Sequence, residues 1–354
     1  MRILLNAAFD TLADVGISLY IRRLVPHLAE LCDLSILTPD PHLFTDYGRV
    51  VQIPECVRST PRRTLWTLTR LAAHCRDSDV LVCATPAIPM HSRLPTVAVV
   101  HDLTPLVCRR LVPVKEKAAF WMGLQTLRLA HRVITDSSQT KVDLAKMGLL
   151  PRRRISVGYC GAGISPTTER IDYASQFMPF VLHVGSHAPH KNVARLIKAF
   201  SRVKSDPDLK LVLVGTGSTL QLDSIGQTIT ANGLRSRVVM LDGLSAGQMS
   251  SLYRGCRLVV CPSLYEGFGL PVLEGMAHGA PVACSAVSSL PEVAGEAATL
   301  FDPRSVADMA SKMQATLDDP RAPSLAMERG TTRASLFTWE RTARTIYARA
   351  FELT

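Results

Sequence analysis

The chain alternates short apolar runs with segments whose apolar residues repeat at helical spacing. The runs, such as Val80–Cys83 and Thr96–Val100, have four or five residues and are apolar almost throughout. Continuous apolar runs are typical of parallel strands that are buried on both faces of a sheet. Between the runs at Arg2–Asn6 and Leu34–Thr38, the apolar positions 17, 21, 24, 25 and 28 follow the period of an α-helix. This alternation predicts an α/β fold.

The same pattern continues to the end of the chain. The first strand, a glycine turn and the first helix form the start of a Rossmann-like unit. Helices are predicted at 16–30, 61–76, around 139–147, at 193–203 and at 338–354. Further strands are predicted at Arg2–Asn6, Leu34–Thr38, 132–137, Phe180–Gly185, Leu211–Val214, Val238–Gly243 and Leu258–Cys261, and another starts at Pro281.

A change of pattern divides the chain. Residues 158–177 contain Gly161, Gly163 and Pro166 and have little periodicity, which is typical of a linker. A chain of 354 residues is long enough for two domains that each bury a core. The predicted organisation is an N-terminal domain at 1–165, a C-terminal domain at 172–337 and a last helical segment at 338–354.

Residues 257–281 form the clearest functional unit of the sequence. The strand Leu258–Cys261 is followed by a loop, by Pro271 at a position that suits the start of a helix, and by Gly279, which ends that helix. Glycines let a backbone approach a ligand closely, and N–H groups at the start of a helix favour anions. The loop can therefore hold a phosphate group or a sugar ring.

Two glutamates frame this loop. Glu266 stands where the loop's glycines begin, and Glu274 lies eight positions later in the predicted helix. A carboxylate accepts hydrogen bonds from hydroxyl groups, so a pair that faces one crevice suits a ligand rich in hydroxyls. The spacing of the pair alone is a common coincidence, but the Gly-Phe-Gly-Leu-Pro frame between the two glutamates favours a functional site.

This stretch resembles the Glu-x7-Glu signature of the retaining glycosyltransferases of family 4. The resemblance implies the B-type glycosyltransferase fold (GT-B), in which two Rossmann-like domains face each other across a cleft and a C-terminal helix returns to the first domain. It implies that Glu266 contacts the donor sugar as a catalytic residue and that Glu274 binds the ribose hydroxyls. It also implies a donor-binding loop whose amides line the sugar and the distal phosphate, made of Gly267, Phe268, Gly269 and Leu270.

A second element of the resemblance follows the strand Phe180–Gly185, where the sequence reads Ser-His-Ala-Pro-His-Lys-Asn. A cation between a strand and a helix suits a diphosphate, and Lys191 matches the family's phosphate-binding lysine, which we include among the catalytic residues. Ser186 stands where the family usually has an arginine, and His190 precedes the lysine, so the second phosphate partner is left open. This element is similar to that of mannosyl- and rhamnosyltransferases of bacterial surface polysaccharides, which makes GDP-mannose the first candidate donor.

Three further candidates lie at strand ends, where ligands bind in open α/β sheets. His101 follows the strand Thr96–Val100; the resemblance implies a catalytic histidine near the donor sugar, and a purely structural histidine is the alternative. Gly16 opens the first helix at a turn that faces the donor pyrophosphate in the family, although the full Gly-x-Gly-x-x-Gly fingerprint is missing. Gly243 ends a strand whose backbone is expected beside the nucleotide base.

The net charge of +10 is concentrated in the first half of the chain. Residues 1–170 hold 22 lysines and arginines against 14 acidic residues, whereas residues 171–354 hold 18 against 16. Such a half either meets an anionic partner or simply carries a soluble basic surface. Because the sequence has no nucleic-acid-binding motif, no nucleic acid partner is expected, and an anionic membrane surface is favoured.

Two segments of the first half combine basic and apolar residues. The first is a predicted amphipathic helix at 61–76, with arginines outside its apolar face, and it suits either a membrane surface or ordinary core packing. The second spans residues 106–132. The apolar face of the first consists of Leu65, Leu68, Leu71, Ala72 and Cys75, and the second combines Arg109, Arg110, Lys115 and Lys117 with Phe120, Trp121, Met122, Leu124, Leu127 and Leu129.

The sequence also predicts where the protein works. It shows no signal peptide and no apolar run of membrane-spanning length. Its nine cysteines form no Cys-x-x-Cys pair, and several, such as Cys83, Cys261 and Cys284, lie in apolar strands, as expected of reduced core residues. We expect a cytoplasmic protein that is peripheral on the inner face of the plasma membrane.

No cofactor and no metal are expected. Asp77-Ser-Asp79 and Asp206-Pro-Asp208 have the Asp-x-Asp form of a metal motif, but each precedes a strand, where aspartate is common in turns. His187 and His190 could form a metal pair, but the sequence supplies no evident third ligand.

The combined prediction is a retaining, metal-independent hexosyltransferase. Its donor is a nucleotide diphosphate sugar, with a GDP-linked sugar as first candidate, and its acceptor is a saccharide or a polyprenyl-linked molecule. The resemblance is strong over 180–302 and weak over 1–170, which fits donor binding by the second domain and acceptor binding by the first. Two alternatives stay open: a sugar-nucleotide epimerase on the same fold, which needs no acceptor, and a non-catalytic nucleotide-binding protein.

Overall fold

The computed structural model describes residues 1–9, 16–108, 114–167 and 171–354. These residues form two compact units. The first unit comprises Met1–Gly163 together with Thr338–Thr354, and the second comprises Ile164–Phe337. Each unit contains one parallel sheet with helices around it, so the predicted α/β class is confirmed.

The first unit is built on a parallel sheet with the strand order β3-β2-β1-β4-β5-β6-β7. Its central strand, β4, lies beside β1, and Leu5 of β1 is in register with Ile36 of β2 and Val82 of β4. The described elements are β1 (Arg2–Asn6), α1 (Gly16–Ala29), β2 (Asp33–Thr38), β3 (Arg49–Gln52), α2 (Thr60–Thr69), β4 (Val80–Cys83), β5 (Thr96–Val100), α3 (Thr104–Val107), α4 (Val114–Thr126), β6 (Arg132–Thr135), α5 (Ser138–Lys146) and β7 (Ile155–Val157).

The second unit repeats this architecture with the strand order β10-β9-β8-β11-β12-β13, also parallel. The described elements are β8 (Phe180–Val184), α6 (Val193–Phe200), β9 (Lys210–Val214), α7 (Thr219–Ala231), β10 (Val238–Leu241), α8 (Ala246–Gly255), β11 (Leu258–Cys261), α9 (Leu270–Ala277), β12 (Val282–Ser285), α10 (Leu290–Ala294), β13 (Thr299–Phe301), α11 (Val306–Asp318), α12 (Ala322–Leu325), a π-helical turn (Ala326–Gly330) and α13 (Thr331–Ala334).

The strand order determines where ligands can bind in the second unit. The chain runs outward from β8 to β10, returns, and continues from β11 to β13 on the other side of β8. In open sheets of this kind, the crevice at the carboxyl ends of the strands on either side of this reversal is the usual ligand site. The loops that follow β8 and β11 therefore meet at the expected binding position.

The last helix, α14 (Trp339–Phe351), packs within the first unit. The indole Nε1 of Trp339 donates to the Ala162 carbonyl over 2.8 Å, and the Thr342 hydroxyl donates to the Tyr159 carbonyl over 2.5 Å. The rings of Trp339 and Tyr20 also pack in a T-shaped arrangement, with ring centroids 5.2 Å apart. These contacts hold the segment that follows β7 against α14.

The prediction that the helix at 61–76 has one continuous apolar face is wrong. The helix ends at Thr69, so the five apolar residues do not lie on one continuous helix, and Leu65 is 61% exposed. Arg63, expected on the solvated side, is only 5% exposed: its guanidinium lies 3.6 Å from the ring centroid of Phe9 and donates to the Val57 carbonyl. Burial lowers the pKa of Arg63 to about 10. Contact with the distant Phe9 thus buries a charged side chain that the helical pattern of apolar residues assigns to the surface.

The second basic segment divides between core and surface. Leu124 and Leu127 are buried in the first unit, whereas Trp121 and Met122 are exposed on α4. Arg109 and Arg110 lie outside the described residues. In the part of the chain that the structure describes, no helix combines the length and the apolar character needed to cross a membrane.

Candidate active site

Lys191 and Glu266 meet directly in the second unit. The Lys191 Nζ lies 2.6 Å from Glu266 Oε1, and the Ser263 hydroxyl donates to the same oxygen over 2.6 Å. The two charged side chains are only 17% and 12% exposed. Burial alone raises the pKa of Glu266, but the Lys191 ammonium and the hydrogen bonds from Lys191 and Ser263 outweigh burial, so the pKa is lowered. Glu266 is therefore an anion, held by a cation from the neighbouring loop.

The backbones of the loops after β8 and β11 are joined by hydrogen bonds. The Leu264 amide donates to the His190 carbonyl over 2.8 Å. The buried Asn192 side chain donates to the carbonyls of Pro262 and Pro303 over 2.9 and 2.8 Å. Asn192 has a left-handed backbone with φ of 63°, which asparagine tolerates better than most residues. These hydrogen bonds between the two loops thus fix the backbone near Lys191 and Glu266.

Two serines from the loop between β12 and α10 fix the backbone of Glu266. The Ser288 hydroxyl donates to the Glu266 carbonyl over 2.6 Å and accepts from the Glu266 amide over 3.3 Å. The Ser289 hydroxyl donates to the carbonyls of Glu266 and Phe268 over 3.0 and 2.8 Å. Ser288 itself has a φ of 58°, a conformation unusual for a residue with a side chain. The carboxylate is therefore presented from a fixed backbone.

Gly269 connects this loop to α9. It precedes the first helical residue, Leu270, with a φ of 111°, and a Cβ at this position would lie 2.6 Å from Leu290 Cδ2. Both facts require glycine here. The positive end of the α9 dipole consequently lies directly after the loop that carries Glu266.

Glu274 is buried inside the second unit and is only 4% exposed. Its Oε2 accepts a hydrogen bond of 2.6 Å from the Tyr253 hydroxyl, and its Oε1 accepts one of 3.1 Å from the Ile164 amide. Burial and the neighbouring Glu274 carboxylate raise the pKa of Tyr253 well above its ordinary value. The structure therefore gives both oxygens of this carboxylate donors from its own unit, and the ribose contact stays a prediction.

The remaining donor-site candidates are glycines and a serine at loop positions. Ser186 is exposed in the loop after β8, and Gly243 is exposed with a φ of 62° just after β10. Gly16 begins α1 of the first unit with a φ of 55° and is exposed. Their contacts with a donor stay predictions.

His101 has partners on both sides of its ring in the first unit. Nδ1 lies 2.7 Å from Asp136 Oδ2, and Nε2 lies 3.0 Å from the Ala84 carbonyl. Both partners accept hydrogen bonds, so the doubly protonated ring satisfies both. Burial lowers the pKa of His101, but the Asp136 carboxylate and the hydrogen bonds to Asp136 and Ala84 outweigh it, and the pKa is raised. The His101 ring therefore links the carboxyl ends of β4, β5 and β6. Its contact with a sugar stays a prediction.

The His101–Asp136 pair makes stability depend on pH. Because the folded pKa of His101 is raised, its contribution is complete below the unfolded pKa of about 6.5 and is lost as pH rises through the folded value. We expect the melting temperature of the wild type to exceed that of His101→Gln most at pH 6 and least at pH 9. The exposed His91, replaced by Gln in the same unit, is the control; an advantage that does not vary with pH would contradict the assignment.

Aspartates of the two Asp-x-Asp elements contact other groups of the protein. Asp79 pairs with Arg2 over 2.6 Å, and Asp206 accepts the Asp208 amide over 2.9 Å. Among the described residues, no group of three or more histidines, cysteines, aspartates or glutamates could hold a metal ion.

Several residues of the site belong to no recognisable sequence pattern. Ser263, Ser288 and Ser289 act through contacts between separate loops, and serine is common in any loop. His183 of β8 is a further example: its Nδ1 lies 3.0 Å from the Val260 carbonyl, and burial lowers its pKa to about 4, so that the ring is neutral. Only Asn192 offers a signal, as an asparagine directly before a predicted helix.

Comparisons with known proteins agree with this architecture. Residues 15–164 match the family described as Glycosyltransferase Family 4, and residues 173–333 match the family described as Glycosyl transferases group 1. Among solved structures, the Anabaena protein Alr3699/HepE in complex with UDP and glucose has the same fold, with a TM-score of 0.79, 19% identity and complete coverage of both chains.

Curated relatives extend the match to most of the chain. The O-antigen chain mannosyltransferase RfbU of Salmonella typhimurium is 30% identical over 307 residues, which cover 82% of this chain and 84% of that protein. The O-antigen chain mannosyltransferase B of Escherichia coli is 28% identical over 300 residues, 81% of this chain and 77% of that protein. The serotype-specific mannosyltransferase WbdA of Escherichia coli is longer, and the match of 262 residues at 30% identity covers 32% of it. The chain therefore belongs to glycosyltransferase family 4 and is a glycosyltransferase with the two Rossmann-like domains of the GT-B fold.

Proposed function

We propose that this glycosyltransferase moves a hexosyl group, with mannose from GDP-mannose as the first candidate, from a nucleotide diphosphate sugar to a hydroxyl group of a lipid-linked or saccharide acceptor. The observation that carries the proposal is the contact between Lys191 and Glu266 at the reversal of the strand order in the second unit. The names of the relatives, O-antigen chain mannosyltransferases, support mannose as the sugar. The UDP and glucose of the Anabaena complex support a nucleotide-sugar donor.

In the proposed mechanism, the second unit stabilises the leaving diphosphate. The barrier is departure of the diphosphate while positive charge develops on the sugar carbon. Lys191 and the start of α9 supply positive charge where negative charge builds on the phosphate. Glu266 orients the sugar through its hydroxyls. Glu274 meets the ribose, and the backbone near Gly243 meets the base.

The proposal includes retention and independence from metals. The leaving phosphate itself takes the proton of the acceptor hydroxyl on the face from which it departs, so the sugar keeps its configuration and no separate general base is required. The cationic lysine and the helix dipole supply the charge that a metal ion supplies in other phosphate sites. EDTA is therefore expected to leave the rate unchanged.

The first unit is proposed to bind the acceptor and an anionic membrane surface. Exposed apolar residues, Leu65 on α2 and Val114, Trp121 and Met122 on α4, lie on helices that pack against each other, and Lys115 is exposed beside them. A basic surface with apolar side chains suits anionic lipid headgroups. A polyprenyl-linked acceptor would be met at such a surface.

Neutralising two lysines of α4 is expected to weaken vesicle binding. Each lysine near an anionic bilayer contributes about 1 kcal/mol, so Lys115→Gln with Lys117→Gln should lower the partition onto vesicles with anionic lipid by roughly 30-fold. Co-sedimentation with phosphatidylglycerol vesicles measures this loss. Lys198→Gln with Lys312→Gln, both exposed in the second unit, is the matched control. Equal binding by the two double variants would show that α4 is not part of a membrane-binding surface.

A ligand panel tests the donor class. The melting temperature of the purified protein is measured without metal in GDP, UDP, TDP, NAD and short single-stranded DNA. A ligand that binds only the folded protein stabilises it, by about 2.7 kcal/mol at a concentration of 100 Kd. We expect a nucleoside diphosphate, GDP first, to give the largest increase. Stabilisation by DNA alone would contradict the proposed function.

A further inference from the structure

The ion pair between Lys191 and Glu266 joins the side chain proposed to bind the diphosphate to the side chain proposed to bind the sugar. In the proposed function, Lys191 binds the diphosphate and Glu266 binds the sugar. In the structure each is the other's partner, and Glu266 Oε1 accepts from both Lys191 and Ser263 at 2.6 Å. An oxygen that already accepts two short hydrogen bonds has little capacity for a sugar hydroxyl. A sugar hydroxyl that uses Oε1 therefore competes with Lys191 and Ser263, and a diphosphate competes with Glu266 for Lys191.

The backbones on either side of this ion pair are fixed. Asn192 anchors the lysine loop to Pro262 and Pro303, and Ser288 and Ser289 hold the carbonyl of Glu266. A rearrangement of the pair must consequently come from the side chains. The lysine has a flexible four-carbon stem and three N–H donors, so it is the partner that can turn from one anion to another.

We propose that the diphosphate of the donor draws Lys191 away from Glu266 and thereby releases the carboxylate for the sugar, so that diphosphate and sugar bind cooperatively. This inference rests on the proposed function and adds the order of events within its site. Before the diphosphate arrives, a sugar hydroxyl that binds Oε1 of Glu266 competes with an ion pair that is largely shielded from water. Afterwards, the buried carboxylate has lost its cation and gains from the hydroxyl donors of the sugar. Coupling of this kind is reciprocal.

The inference predicts that Glu266→Gln tightens the binding of a diphosphate although it removes sugar recognition. Glutamine keeps the shape of the side chain and one neutral acceptor oxygen but loses the negative charge, so it holds the ammonium less strongly. Isothermal titration with GDP and with pyrophosphate, without sugar, should show affinities roughly 5- to 50-fold higher than for the wild type. Glu296→Gln, exposed ahead of the amino end of β13 and thus at the opposite edge of the sheet, should leave both affinities unchanged.

A double-mutant cycle separates competition for the lysine from general repulsion between anions. If Glu266 acts by occupying Lys191, the gain from Glu266→Gln should disappear when Lys191→Met is also present. The same gain in both backgrounds would mean simple charge repulsion and would overturn the inference. Unchanged or weaker binding by Glu266→Gln alone would overturn it as well.

Ser263→Ala provides a second test should Glu266→Gln not fold. Without this hydroxyl the carboxylate loses one of the two donors to Oε1 and relies more on Lys191, so the ion pair becomes harder to break. Pyrophosphate should then bind about two- to tenfold more weakly, the value of one hydrogen bond. Tighter or equal binding would contradict the inference.

The sugar side of the coupling is measured with free mannose. The wild type should bind mannose more tightly in saturating GDP than without it, by the same factor by which mannose tightens GDP. If the wild type binds GDP, UDP and pyrophosphate but mannose affinity does not respond, this inference fails and the proposed function stands. If it binds no diphosphate at all, both fail.

Discussion

Replacing Glu266 by Gln is expected to lower kcat for sugar transfer by roughly 10²- to 10³-fold, the cost of removing one preorganised group that stabilises charge in a transition state. The reason is the position of the carboxylate, which is held by Ser288 and Ser289 and kept anionic by Lys191. Glutamine retains the size and one acceptor oxygen but loses the charge that favours the developing positive sugar carbon. The initial rate of nucleoside diphosphate release in the presence of acceptor measures the loss.

The control for this variant is Glu296→Gln, which changes an exposed carboxylate at the opposite edge of the same sheet. It should retain the wild-type rate. A folded Glu266→Gln protein, with an unchanged melting temperature, that transfers sugar at the wild-type rate would show that the site is assigned to the wrong carboxylate.

Replacing Lys191 by Met should have the second large effect, a fall in kcat/KM of roughly 10²- to 10³-fold. Methionine fills a similar volume but offers no charge to the leaving phosphate. The variant also leaves the Glu266 carboxylate, 12% exposed, without its cation, and a buried anion that loses its partner is costly. We therefore expect a lower melting temperature as well as a lower rate.

Lys198→Met on the outer face of α6 is the matched control, since Lys198 is exposed on the helix that directly follows the lysine loop. It should preserve both the rate and the melting temperature. If the rate of Lys191→Met stayed within a few-fold of the wild type, the diphosphate would have to be stabilised by other groups, with the start of α9 as the first alternative.

Most of the fold could be predicted because most of its strands, such as β4, β5, β11 and β12, are buried on both faces. Such strands appear as continuous apolar runs, and β11, at Leu258–Cys261, was predicted with the bounds that the structure has. The glycine at 269 could be expected because a tight approach before a helix requires it. These features depend on residues close together in the sequence.

Features that depend on distant residues could not be predicted. The buried side of α2 is set by Arg63 over Phe9, a pair 54 positions apart by their residue numbers, and no helical pattern contains that information. Glu274 is bound by Ile164 and Tyr253, which lie far from it in the chain. The contact of Glu266 with Lys191, 75 positions earlier in the chain, is a third example.

The central claim is tested most directly by following the sugar itself. The purified protein is incubated with GDP-mannose and, in parallel, other nucleotide sugars, together with saccharide and polyprenyl-linked acceptors, and the products are identified by mass spectrometry and NMR. The account predicts release of nucleoside diphosphate only when an acceptor is present, and a product in which the hexose keeps the anomeric configuration of the donor. A sugar nucleotide converted to its epimer without transfer, or a product with inverted configuration, would contradict it.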